Sequence, residues 1–184
     1  MLKGNIRVLL ASRGGVVGRV SFNPAKVGVE GESPVSTFKF DGVVSATTKG
    51  ATRINTLTVL VHTLEQLSVM KPDMEKEPVV IFATGVVADV IESGTFKYWV
   101  RLGSTSKGDK LLPEEIELWD KFSKLYSSMY GDVIIKNISK AKLYKNSKYT
   151  ITQQQQIDAK LCEMAWDLVP KTPALGDAVS SAEL

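Results

Sequence analysis

The stretch Val79–Trp119, VVIFATGVVADVIESGTFKYWVRLGSTSKGDKLLPEEIELW, decides how the chain is read. Its first five residues are apolar and β-rich, which predicts a strand buried on both faces. Val86–Ser93 predicts one short helix, closed by Gly94. Thr95–Lys110 then mixes Phe96, Tyr98 and Trp99 with Lys97, Arg101, Lys107 and Lys110. Pro113 opens a second helix, with Glu114, Glu115 and Glu117 in the first turn, where the macrodipole favours them. Ile116, Trp119, Phe122, Tyr126 and Met129 form its apolar stripe, and Gly131 ends it.

Upstream, Ile6–Ala11 and Val16–Phe22 predict two strands joined by the turn Ser12-Arg13-Gly14-Gly15. Val35–Ser45 alternates as a third, with Phe38, Phe40 and Val43 on one face. From Arg53 the period changes. Ile54, Leu57, Val61, Leu64 and Leu67 or Ser68 recur at three- and four-residue steps, predicting a helix of about four turns that stops before Lys71-Pro72. Downstream, Asp132–Ile138 reads as a fifth strand and residues 139–150 as a basic loop. Thr152–Leu168 reads as a last helix burying Ile157, Leu161, Met164 or Ala165, and Leu168. The predicted class is α/β (α+β): a five-stranded mixed sheet, three antiparallel strands followed by parallel additions, flanked by helices.

A chain of 184 residues, 43% hydrophobic, holds one well-packed domain and not two large ones. That domain is expected over residues 1–169, with 170–184 a flexible tail because the segment has prolines and no periodicity. No apolar run approaches the ~20 residues of a membrane span. The short N-terminal patch Val8–Ala11 reads as a strand rather than a leader. One cysteine excludes an internal disulfide and suits a reducing, intracellular, cytoplasmic setting. Net charge is only +3, but residues 1–53 carry eight cations against three acids, and 132–160 six lysines against two acids. Two separated basic blocks fit a polyanion-binding face, although many soluble domains vary this much.

The order of elements resembles the ribonuclease H-like superfamily. In that family the third strand enters a long helix through a Thr- and Asn-rich turn; here Thr47, Thr48, Thr52 and Asn55 surround that junction. The family's fourth strand, short helix, basic Trp-bearing protrusion and Leu-Trp helix are similar to IFATGVVADVI and FKYWVRLGSTSKGDKLLPEEIELW. The resemblance implies four carboxylates holding two divalent metals that clamp a phosphodiester. The matching positions fall near Ser12, on Asn55 or Thr56, on Thr84, and near Cys162 with Asp158 and Glu163 close by. Residues 6–19 and 52–64 contain no acid in any register. The resemblance therefore implies a degenerate member, a pseudoenzyme without catalytic residues, metal or cofactor.

Binding is then left to carry the function, and three segments are candidates. Lys97, Trp99, Arg101, Lys107 and Lys110 correspond to the protrusion that holds duplex backbone in the enzymes; cations would neutralise phosphates and aromatics would stack on bases. The same spacing also suits a helix that buries Phe96 and Trp99 and turns its cations to water. Lys136, Lys140, Lys142, Tyr144, Lys145 and Lys148 form a second candidate, or a solubilising loop. Arg13 and Arg19 flank a glycine turn that could approach a phosphate or be a plain hairpin; it lacks the Gly-Lys-Ser/Thr of a P-loop. His62 reads as a surface or partly buried histidine, Cys162 as a buried thiol, and Asp89 and Glu92 as facing water. Ser12 has no evident base.

The expected partner is nucleic acid, RNA or an RNA-containing duplex over DNA, bound by backbone and shape, with no membrane. Two alternatives stand: a metal-dependent nuclease with displaced ligands among Asp41, Asp89, Asp158 and Glu163, or an adaptor for a protein partner or self-association through the sheet edge, the acidic helix or the tail. By the same resemblance, such degenerate domains occur in larger assemblies, often viral or mobile-element ones.

Overall fold

The computed structural model of the chain describes residues 6–13, 15–42, 48–70, 78–138 and 152–169. Its strands are β1 (Arg7–Arg13), β2 (Val16–Phe22), β3 (Val35–Asp41), β4 (Val79–Ala83) and β5 (Val133–Asn137). Its helices are α1 (Thr48–Met70), α2 (Gly85–Ser93), α3 (Phe96–Leu102), α4 (Pro113–Ser128) and α5 (Gln153–Asp167). The strands form one sheet in the order β3-β2-β1-β4-β5. β1–β2 and β2–β3 are antiparallel, while β4 joins β1, and β5 joins β4, in parallel. This is the expected five-stranded mixed sheet, three antiparallel strands followed by parallel additions.

Alternation along β1 sorts the core into two layers. Val8 and Leu10 face α1, where Leu57, Leu60 and Leu64 meet them, with Trp119 and Phe122 of α4 closing that side. Leu9 and Ala11 face the other way, onto Leu161, Cys162 and Ala165 of α5. Central β4 is therefore buried at every position, as its unbroken apolar run predicts. On β2, Gly18 lets α5 come close: a Cβ there would meet Leu168 Cβ at 2.7 Å and the Ala165 carbonyl oxygen at 2.8 Å.

Several boundaries differ from the sequence reading. Helix α1 has 23 residues, not four turns, because its periodicity marks only the part packed in the core. Ser68, Val69 and Met70 extend it into solvent. Strand β3 ends at Asp41, and at the next residue, Gly42, a Cβ would collide with the Asn55 side chain. The proposed contribution of Val43 lies outside the described residues, as do the basic loop and the tail from residue 170. On α4 the buried stripe is Glu115, Trp119, Phe122 and Met129, with Tyr126 partly buried; Ile116 is 43% exposed, one helical step off that face. Among the described residues, no helix is long and apolar enough to cross a membrane.

Gly18→Val is expected to destabilise the chain by about 1–3 kcal/mol, because the added methyls have no room between β2 and α5. Urea denaturation would read this as a lower midpoint with an unchanged slope.

Candidate nucleic-acid interface

β1 and β4 lie side by side in parallel, so their C-terminal ends open onto the same edge of the sheet. Such an edge is where open α/β sheets place ligands. Ser12 ends β1, Thr84 follows β4, and α1 brings Thr56 beneath them; Ser12 Oγ and Thr56 Oγ1 are 2.8 Å apart and hydrogen-bonded. These three residues line a cavity of about 220 Å³, with Asn137, Trp166 and Arg53 among the other walls. Among the described residues, no carboxylate lines it. The three positions matched to metal-binding acids thus meet at one point, as hydroxyls.

Thr84 is the N-cap of α2, with the extended backbone an N-cap needs (φ −103°, ψ 158°), yet its side chain makes no capping bond. The next side of the pocket is built by Asn137. Its Nδ2 donates to Asp89 Oδ1, and its backbone N–H donates to Glu92 Oε2 at 2.7 Å. Asp89 and Glu92 are exposed but not merely solvated, correcting the sequence reading: they tie α2 to the end of β5. A carboxylate pair one helical step apart carries no local sign of such a partner 45 residues away.

A second cavity, about 420 Å³, shares Thr52, Arg53 and Val86 with the first, so the two form one groove. Its far end is lined by Val90, Trp99, Lys107 and Asp109. Trp99 is buried, donates Nε1–H to Ser106 Oγ at 2.9 Å, and meets Trp119 edge-on. Phe96 stacks on Trp119 at 5.6 Å between ring centres. Both aromatics are thus core residues of a short helix, and Tyr98, 57% exposed, is the solvent-facing ring of α3.

The exposed cations of this segment are Lys97 and Arg101 on α3, and Lys107 and Lys110 in the hairpin that follows. Arg101 lies over the Tyr98 ring. The hairpin is pinned by Thr105 N–H donating to the Asp109 carbonyl at 2.8 Å, which holds Lys107 at its tip. Lys136 is exposed on β5; Lys140, Lys142, Tyr144, Lys145 and Lys148 lie outside the described residues.

Arg13 sits over the Trp166 ring at 4.8 Å, beside the first cavity. Arg19 lies over Phe38 and donates to Thr63 Oγ1 and Gln66 Oε1, clamping β2 and β3 to α1. Burial lowers its pKa from the ordinary arginine value. In the turn itself, the Gly15 carbonyl accepts from Asn55 Nδ2 at 2.6 Å. His62 is exposed and Cys162 buried.

Sequence reasoning missed the central ion pair of the groove. Arg53 donates Nε–H and Nη2–H to the two carboxylate oxygens of Glu115 at 2.8 and 2.9 Å, and Glu115 is fully buried. Glu115 Oε1 also accepts the Leu112 N–H at 3.2 Å, closing the first turn of α4. The hydrogen bond to Glu115 raises the Arg53 pKa above its ordinary value. Linkage keeps a raised base's contribution whole below that ordinary value, so alkali weakens this pair only near the top of the pH scale.

Two divalent metals do not fit this donor set, which offers hydroxyls, an amide and a guanidinium where hard cations need several anionic oxygens. The displaced-ligand alternative finds its acids dispersed. Asp158 is buried against Arg7, whose Nε–H donates to it at 3.0 Å. Arg7 begins β1, roughly 17 Å of strand from Ser12. Among the described residues, no group of three or more His, Cys, Asp or Glu is placed to hold a metal.

No family model and no curated protein matches the chain. Among solved structures, one described as "Solution structure of PFV RNase H domain" is similar to it at 15% identity. That alignment has a TM-score of 0.46 and covers 91% of this chain and 96% of that one.

Glu115→Ala should cost about 3–5 kcal/mol, since it strands a buried guanidinium. The paired replacement Arg53→Met with Glu115→Leu should be milder than either single change to alanine. Denaturation of the three variants checks this order of stabilities.

Proposed function

We propose that the chain binds nucleic acid, RNA or an RNA-containing duplex, through backbone and shape, and does not cut it. The observation that carries this reading is the convergence of Ser12, Thr56 and Thr84, free of acids, on a groove that runs to Lys107. A fold of this type presents that edge to polynucleotides by analogy, and analogy supplies the ligand class. The chemistry at the edge supports the rest. Without clustered carboxylates, no residue there collects the two cations that would clamp attacking and leaving oxygens.

The binding face is the groove with its rim of exposed cations: Lys97, Arg101, Lys107 and Lys110 on one side and Lys136 on β5. None of these five forms an ion pair with a described residue. Cations of this sort neutralise phosphates and read shape, so sequence preference is weak. RNA is favoured because the groove wall carries the hydroxyls of Ser12, Thr52, Thr56 and Thr84, groups able to exchange hydrogen bonds with a 2′-OH. The proposal includes a reducing compartment, which a single cysteine suits.

Fluorescence anisotropy with RNA, hybrid and DNA duplexes of one sequence tests this. Affinity is expected to fall steeply between low and physiological salt. The double reversal Lys107→Glu with Lys110→Glu should flatten the log–log salt slope by about one for each phosphate no longer neutralised. No binding to any of the three at low salt, or Mn²⁺-dependent cleavage that co-purifies with the chain, would reject the proposal.

A further inference from the structure

The first cavity has a feature that nucleic-acid binding alone does not explain. Thr84 is 7% exposed, and its Oγ1 is buried with no hydrogen-bond partner among the described residues. Leaving a buried hydroxyl unpartnered is unfavourable, and an N-cap threonine ordinarily avoids it by accepting from the first turn of its own helix. Here that side chain lines the cavity instead. Gly85, Val86 and Val87, the first residues of the nine-residue helix α2, line it as well. The opening N–H groups of a helix have no intrahelical acceptor and carry the positive end of its dipole.

The described lining of this cavity carries no net negative charge. Its lining holds Arg53 and no carboxylate. Arg53 is neutralised by Glu115, and Asp89 and Glu92 of α2 lie outside the lining, hydrogen-bonded to Asn137 but still charged. The remaining polarity of the lining is that of the α2 N-terminus, the hydroxyls of Ser12, Thr52, Thr56 and Thr84, the Asn137 side chain and the Trp166 indole. A volume of about 220 Å³ is several times the share of a water molecule, roughly 30 Å³, and admits a tetrahedral oxyanion.

We infer that the cavity binds a phosphate group directly, through the α2 N-terminus and the Thr84 hydroxyl, with no bridging metal. In a two-metal enzyme the acids attract cations and the cations attract the phosphate. With the acids replaced by neutral donors, the anion is held one step closer to the protein. The helix terminus offers about half a unit of positive charge, which matches the single charge of an internal phosphodiester better than a dianionic terminus. This inference deepens the proposed function and rests on it for the source of the phosphate.

The test uses the full chain, ¹⁵N-labelled, titrated with inorganic phosphate in EDTA and, separately, with MgCl₂ alone. Phosphate should shift the amide resonances of Gly85, Val86 and Val87 beyond the effect of matched chloride, and Mg²⁺ should not. Thr84→Val keeps the shape and removes the hydroxyl. It should weaken phosphate binding about tenfold, the usual worth of a hydrogen bond to a charged group, while leaving thermal stability equal or higher. Loss of stability in Thr84→Val with unchanged phosphate shifts would make the hydroxyl structural and overturn the inference. So would Mg²⁺ shifting these amides where phosphate does not.

Oligonucleotide anisotropy separates this outcome from the broader reading. Salt-dependent RNA binding that Thr84→Val leaves unchanged, with no phosphate shifts, sinks the pocket and spares the function. Phosphate shifts without any polynucleotide binding do the reverse. Equal loss on Thr84→Val for 5′-phosphorylated and 5′-hydroxyl strands supports an internal phosphodiester; loss confined to the phosphorylated strand overturns that source.

Discussion

The Arg53–Glu115 ion pair is the constraint on which the groove depends. It joins α1, which lies against the sheet, to the first turn of α4, and it borders both cavities. Helix α4 in turn carries Trp119 and Phe122, against which Phe96 and Trp99 of α3 are packed. The position of Lys107 at the groove's far end is therefore inherited from a salt bridge at its middle. A buried pair of this kind gives little net stability over a well-packed apolar pair. Its advantage here is geometric. A bidentate fork fixes both distance and angle between two helices, and leaves the groove wall polar yet neutral.

Neutrality has a consequence for how the sheet edge folds. Two carboxylates 4 Å apart repel by about 4 kcal/mol at an effective dielectric of 20, so a cluster of them is stable only with cations or shifted protonation. Ser12 and Thr56 satisfy one another at 2.8 Å instead. The C-terminal ends of β1 and β4 can thus stay packed against α1 with no counter-ion. Thr84 is discordant, its hydroxyl buried without a partner among the described residues, as is the Trp119 indole N–H on α4. Isolated violations of local rules in a consistent fold fall preferentially at functional sites.

Much of this architecture was legible from hydrophobic period alone. β4 ends where its apolar run ends, and β1, β2 and the capped helix α5 fall within a residue or two of their predicted limits. What escaped was every feature that depends on a distant polar partner. Glu115 looked like a helix-terminal acid and Ile116 like a core residue; Arg53, 62 positions away, reverses the two. Asp158 looked like a possible metal ligand until Arg7 claimed it. Arg19 looked like a turn cation, but Phe38, Thr63 and Gln66 hold it. Period-based reading sees which residues are apolar. It does not see which charges are already neutralised, and that decides which cations remain for a ligand.

The same division between neutralised and exposed charge shapes the proposed binding. The cations on the rim are exposed, so their attraction for a polyanion is screened over about 8 Å at physiological salt. They steer and they weaken with ionic strength. A hydrogen bond to the Thr84 hydroxyl inside the first cavity would be different in kind, since that group is buried. Short-range, directional interactions of that sort resist screening and fix register along a strand, whereas the rim fixes only proximity. A groove with solvated charges outside and oriented dipoles inside therefore separates capture from positioning. In the proposed binding, the second of these falls to the hydroxyls at the sheet edge.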